Sequence, residues 1–171
     1  MKLNPKIAKV LAGLGLSAAA VMAGSGTVSY FEGKENKAYV DPVGIVTICY
    51  GETRGVKKGD YKTDEECLES LASELVEHEK GMLKVVKVPL STKEQAAYLS
   101  FTYNLGVKAF TNSTLLKKLN SGDRVGACNE LLRWNKANGR ALNGLTKRRQ
   151  EENKLCLEGV AELRGVNETN H

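Results

Sequence analysis

The chain has 171 residues, enough for one domain whose core folds unaided. Its formal net charge of +5 leans on Lys2, Lys6 and Lys9 in an acid-free N-terminal segment; without those three of the 25 Lys and Arg, 22 face 20 Asp and Glu. That near balance lacks the basic footprint of a nucleic-acid binder, and four dispersed cysteines with two histidines and no C-x-x-C pair argue against a zinc site.

No charge occurs between Lys9 and Glu32, which leaves the 22-residue run VLAGLGLSAAAVMAGSGTVSYF. As a helix it would reach roughly 33 Å, enough to cross a hydrocarbon core of about 30 Å. Thirteen of the 22 are Ala, Gly, Ser or Thr. The apolar aliphatics contribute only about −2 to −4 kcal/mol before the Gly and Ser penalties, so insertion is marginal. Three readings stay open: a signal peptide cleaved after Ala23, an uncleaved anchor weak enough to leave the bilayer again, and a Gly/Ala-rich soluble helix. The first two export everything after residue 30, because the basic flank stays in the cytoplasm.

The next stretch, KAYVDPVGIVTICY, predicts a hairpin with strands over about 37–41 and 45–50. Asp41-Pro42-Val43-Gly44 fits a type I turn position by position. With 42–44 as the loop, Asp41 faces Ile45, and alternation puts Thr47 on the same sheet face as Asp41. Thr63 with Glu66 makes a capping box for a long helix over about 63–84, and Ser91 with Glu94 makes another that opens a helix ending at Gly106. TNSTLLKKLNSG, GACNELLRWN and GLTKRRQEENKLCLEG predict further short helices punctuated at Gly122, Gly139 and Gly159, with the last dozen residues frayed. The sum is an α+β, mainly α fold: a small β-hairpin lobe, one connecting helix and a helical lobe, with a cleft between them suited to a polymer substrate.

Two carboxyl groups can share the work of cleaving a glycosidic bond, one protonating the leaving oxygen and the other serving the attacking water. Glu32 directly follows an apolar run, and desolvation there favours its neutral, proton-donating form. Asp41 sits at the rim of an exposed turn, and the Thr47 hydroxyl can hold a water beside it. Spacing alone also fits an ordinary Asp-Pro turn, an ordinary β-forming threonine and a solvated acid.

EGKENKAYVDPVGIVTICYG, with Glu32, Asp41 nine residues on and Thr47 six further, resembles the catalytic Glu, Asp and Thr of phage lysozymes of the T-even and lambdoid type. YLSFTYNLGVKAFTNSTLLKKLNSGDRVGACNELLRW is similar to the helical lobe of that family, and GLTKRRQEE to its C-terminal helix, over roughly residues 29–158. The resemblance implies a lysozyme-like fold and an endolysin that cuts the β-1,4 link between N-acetylmuramic acid and N-acetylglucosamine in peptidoglycan. Glu32 would be the acid, with Asp41 and Thr47 positioning the water, and the anomeric configuration would invert. A lytic transglycosylase and a non-catalytic, membrane-tethered wall-binding protein are the alternatives. Many relatives carry Gly-His-Thr where this chain has Gly51-Glu52-Thr53, which leaves Glu52 as a possible third acid or a structural one.

The resemblance also implies substrate contacts from Asn104, at a helix end that helix termination alone would also explain, and from an arginine of the pair Arg148 and Arg149, with Arg148 taken as the candidate and solvated helix charges as the default for the two arginines. Trp134 is expected to pack in the core within a helix, and His78 to lie on the polar side of the long helix. Some lambdoid endolysins carry a signal-anchor-release segment, which gives the weak anchor a meaning. Residues 1–28 would be that segment and 29–171 the catalytic domain, inserted through the host secretion machinery, tethered inactive in the bacterial inner membrane and then freed into the periplasm. Export favours disulfides, and local pairing points to Cys49 with Cys67 and Cys128 with Cys156. No cofactor, metal or nucleic acid is expected, and the chain is expected to be a monomer.

Overall fold

The structure, a computed structural model, describes residues 33–168. Glu32 and the expected membrane segment lie outside the described residues, among which no helix is long and apolar enough to cross a membrane.

The hairpin consists of β1 (Glu35–Val40) and β2 (Val46–Cys49), antiparallel, with Tyr39 opposite Thr47 and Val40 opposite Val46. The Asp41–Gly44 turn closes it: the Gly44 N–H donates to the Asp41 carbonyl at 3.0 Å, and the Asp41 N–H to the Ile45 carbonyl at 2.9 Å. Both strands lie closer to the N-terminus or end sooner than expected, for two reasons. The segment Asp60–Lys62 pairs along the free edge of β1, with the Ala38 N–H on the Asp60 carbonyl and the Lys62 N–H on the Asn36 carbonyl, both at 2.9 Å, and this extends the strand back to Glu35. Cys49 adopts a φ of 58°, turning the chain so that Ile48 and Glu52 exchange backbone hydrogen bonds, and β2 stops there.

The connecting helix α1 (Asp64–Leu83) and the central helix α2 (Thr92–Leu105) each begin with the expected capping box. The Glu66 N–H donates to Thr63 Oγ1 at 3.2 Å while the Thr63 N–H donates to Glu66 Oε2 at 2.7 Å, and Ser91 with Glu94 repeats the exchange. One such N-cap is worth roughly 1 kcal/mol. The apolar stripe of α1 buries Cys67, Leu71, Leu75, Val76 and Met82. Helix α2 buries Ala96 through Thr102 without interruption, as befits a rod enclosed by other helices, and ends at Gly106, whose φ of 88° a side chain would resist. Short helices follow: α3 (Val107–Thr111), α4 (Thr114–Asn120) and α5 (Arg124–Glu130). Helix α6 (Asn143–Glu168) closes the fold and packs mainly along α2.

Three expectations in the helical lobe are corrected. The segment GACNELLRWN is not one helix, since α5 tightens into a 3-10 turn at Leu131–Arg133 and Trp134 stands beyond it. Next comes a second hairpin, β3 (Lys136–Ala137) with β4 (Arg140–Ala141), whose turn residues Asn138 and Gly139 both have positive φ; Asn-Gly is the sequence signal for such a turn. Helix α6 does not stop at Gly159 but continues to Glu168; the last three residues of the stretch expected to fray lie outside the described residues. Gly159 is there for proximity: a Cβ on it would lie 2.3 Å from Ser91 Oγ and 2.7 Å from the Glu94 nitrogen, at the start of α2.

Two disulfides tie the lobes internally. Cys49–Cys67 joins β2 to α1, and Cys128–Cys156 joins α5 to α6. The buried Tyr98 hydroxyl donates to the Cys156 sulfur at 3.2 Å.

Candidate active site

Asp41 owes its position to its own turn. One carboxylate oxygen, Oδ1, accepts the Val43 N–H at 3.0 Å and the Ile45 N–H at 2.8 Å, an Asx arrangement that fixes the side chain. The other, Oδ2, takes no hydrogen bond among the described residues. Thr47 follows in β2 on the same face, two residues past the partner of Asp41. It is 4 % exposed, and its hydroxyl donates to the Ile45 carbonyl at 3.2 Å, which leaves the oxygen's lone pairs for a donor. Asp41 and Thr47 are therefore brought together. Glu32 precedes the first described residue, Gly33, which lines a hollow of about 530 Å³ with Lys34, Glu35, Tyr39 and Cys49. Tyr39 is the cross-strand partner of Thr47, so that hollow reaches the same sheet face.

A polar cleft of about 280 Å³ lies between the hairpin lobe and the helices, lined by Tyr50, Gly51, Thr53 and Arg54 on one side and by Glu74, His78, Tyr103 and Asn104 on the other. Tyr103 spans it: its hydroxyl reaches the Tyr50 carbonyl at 3.1 Å and Glu74 Oε2 at 3.0 Å. His78, expected to be plain surface, is half-buried against the Tyr103 ring, 5.2 Å between centroids. Its Nδ1 lies 2.8 Å from the Glu74 carbonyl, which can only accept, so Nδ1 carries the proton. Glu52 does not stand free as a third acid. Lys62 Nζ donates to both of its oxygens, at 2.8 and 2.7 Å, and to Ser70 Oγ at 2.8 Å.

Asn104 lines the cleft at the end of α2, and behind it lies a buried charged cluster from α6. Arg149 Nη2 donates to Asn104 Oδ1, and Arg149 Nη1 to Glu152 Oε2 at 2.6 Å. The Arg149 guanidinium also stands 5.0 Å from the Phe101 ring centre, a cation–π contact. Arg148 Nε donates to Glu152 Oε1 at 3.2 Å and Arg148 Nη2 to the Ser100 carbonyl at 3.2 Å, while the Ser100 hydroxyl adds a bond to Glu152 Oε1 at 2.7 Å. The default of solvated helix arginines is overturned: Arg148 is 3 % exposed and Arg149 and Glu152 fully buried. Burial pushes the Glu152 carboxyl up, and the Arg149 and Arg148 guanidiniums oppose the rise. The structure thus brings Asn104 to Arg149, while Arg148 lies behind, on Ser100. Trp134, half-buried, packs edge-on against Phe101 at 5.4 Å.

Glu152 and Tyr103 escaped the sequence reading. Glu152 was detectable, because it falls three and four residues after the arginine pair, the spacing at which helix side chains meet. Nothing in the sequence marks Tyr103 apart from its place before Asn104.

A hairpin lobe hung on one long helix, a helical lobe closed by α6 and a polar cleft between them define a lysozyme-like fold. The comparisons agree. The SAR-endolysin of Pseudomonas phage phiKMV is 40% identical over 148 residues, covering 84% of this chain and 90% of that one. The SAR-endolysin of bacteriophage PS119 is 36% identical over 157 residues, 91% of this chain and 94% of that one. Among solved structures, the active form of the P1 phage endolysin Lyz superposes with a TM-score of 0.76 at 25% identity, covering 91% of this chain and 94% of that one. The phage lysozyme family model matches residues 29–152, and the chain belongs to the phage lysozyme family.

Proposed function

We propose that this chain is an endolysin, a muramidase that hydrolyses the β-1,4 bond between N-acetylmuramic acid and N-acetylglucosamine in peptidoglycan and so lyses the host cell. The observation that carries the reading is the Asp41 turn. Two backbone amides hold Oδ1, Oδ2 takes no hydrogen bond among the described residues, and Thr47 lies on the same strand face, so a water there would have two acceptors. In the proposed mechanism Glu32, just before the described residues, protonates the leaving glycosidic oxygen. The water held by Asp41 and Thr47 gives its proton to Asp41 as it attacks the anomeric carbon from the opposite face, and the configuration inverts. Asn104 binds the glycan from the helical lobe, and the buried Arg149 holds its amide oxygen from behind. No step calls for a cofactor or a metal.

The N-terminal residues 1–28 extend the proposal to regulation. We read them as a signal-anchor-release segment, inserted by the host secretion machinery, that tethers the enzyme to the inner membrane until it is freed into the periplasm as a monomer. The support is the marginal insertion energy of the uncharged run and the name SAR-endolysin borne by the phiKMV and PS119 relatives.

The test is digestion of purified peptidoglycan by the wild type, by Glu32→Gln and by Asp41→Asn, with reducing ends and product masses measured. Each amide should lower turnover by about a thousandfold, within the range for loss of a positioned acid or base. Undiminished hydrolysis by both variants would reject the assignment, and anhydro products from the wild type would point to a transglycosylase.

A further inference from the structure

The buried cluster behind the cleft does more than neutralise charge. A guanidinium has donors and no acceptor, so the atom of Asn104 that meets Arg149 Nη2 must be the carbonyl oxygen Oδ1. That contact removes the usual ambiguity of an amide side chain. With Oδ1 taken from behind, the two N–H donors of Asn104 Nδ2 are turned away from Arg149, and Nδ2 has no partner among the described residues on a residue that lines the cleft. The cleft therefore shows a hydrogen-bond donor at this point.

What keeps Arg149 in place is Glu152. The carboxylate is fully buried and both its oxygens are used: Oε2 takes Arg149 Nη1 at 2.6 Å, and Oε1 takes Ser100 Oγ at 2.7 Å and Arg148 Nε at 3.2 Å. Ser100 and Asn104 stand four residues apart in α2, and Arg149 and Glu152 three apart in α6, so each helix contributes two adjacent side chains to one closed chain of bonds. Nothing in the mechanism above uses Glu152. An ion pair this deep gains little net stability against an apolar replacement, which makes geometry the better reason for its presence.

We propose that Glu152 is a positioning residue: through Arg149 it fixes the amide of Asn104 as a donor facing the cleft, so that this subsite selects a carbonyl oxygen on the glycan, such as that of an N-acetyl group. The proposal rests on the muramidase reading and adds how one subsite recognises its ligand.

The experiment is a double-mutant cycle on the full chain, with initial rates of reducing-end release from purified peptidoglycan across substrate concentration, normalised to folded protein by circular dichroism. Glu152→Gln should raise KM by about tenfold, the worth of one well-placed hydrogen bond to a charged or buried partner, with kcat changed far less. Asn104→Asp keeps an oxygen for Arg149 but removes the donor, and should raise KM as much. Asn104→Ala should do the same, and adding Glu152→Gln to it should cost nothing more in KM. Where Glu152→Gln fails to fold, Arg149→Lys takes its place in the cycle, since lysine keeps the charge but loses the planar fork. Wild-type KM in Glu152→Gln, or in Arg149→Lys where that replaces it, overturns the proposal and leaves the muramidase reading standing, as do penalties that simply add to those of Asn104→Ala. A wild type without turnover rejects both.

Discussion

Glu79 illustrates how a single side chain sets a pH dependence. It is fully buried on α1, Oε1 accepts from the Gln95 amide of α2, and Oε2 has no hydrogen-bond partner among the described residues. Burial pushes its carboxyl above the ordinary range, and the bond from Gln95 only partly counters this. The folded state therefore holds the proton more tightly than the unfolded chain. Its contribution is fully favourable below the unfolded value of about 4.3 and is lost as pH rises from there through the raised folded value. Glu79→Gln keeps an acceptor for Gln95 and never ionises. Its thermal midpoint should exceed that of the wild type at pH 7 and converge on it near pH 4; parallel profiles for the two proteins would contradict this account.

At the scale of elements, Gly159 shows why composition misleads. Read in sequence, a glycine at the close of a helical pattern marks a helix end. In the fold, α6 runs on past it and the missing side chain lets the N-terminus of α2 come close, so that its Ser91 cap and the adjoining backbone occupy the space a methyl would need. Gly159→Ala should destabilise the domain by about 2 kcal/mol through overpacking, despite alanine's better helix propensity. Denaturant unfolding measures this, and a neutral or stabilised variant would show that the α2–α6 contact is loose. Local signals served well where they were self-contained. The two capping boxes and the Asp-Pro-Val-Gly turn need only four residues each, and the structure has all three as read. Signals that depend on distant partners did not serve. The edge pairing of Asp60–Lys62 moved β1, the positive φ of Cys49 cut β2 short, and the burial of Arg148 and Arg149 follows from Glu152 and Ser100 meeting across two helices. Of the candidate site, Asp41 and Thr47 were legible because a two-residue strand period places them. The partnership of Asn104 with Arg149 was not, since it spans 45 positions of sequence.

For the molecule as a whole, the proposed leader would act as a weak hydrophobic anchor just before the hairpin that carries Asp41 and Thr47. If marginal insertion is what permits release, strengthening the segment should hold the enzyme back. Replacing Gly13, Gly15 and Ala19 with leucine should keep the chain in the membrane fraction and delay lysis, each leucine adding roughly −0.3 to −0.6 kcal/mol of its own to insertion. Fractionation and lysis timing read the result directly, and unchanged release would remove the leader from the regulatory account. Intact mass separates release of the whole chain from cleavage after Ala23.

The covalent links carry one more implication. Thiols stay reduced in the cytosol and pair in the periplasm. Closing the stretches from Cys49 to Cys67 and from Cys128 to Cys156 is worth about 3 kcal/mol each in lost freedom of the unfolded chain, so a copy still on the inner side forgoes most of a small domain's margin. Crossing the bilayer would then do two jobs at once: it delivers the enzyme to its polymer, and it hardens a fold that the producing cell's own interior keeps soft.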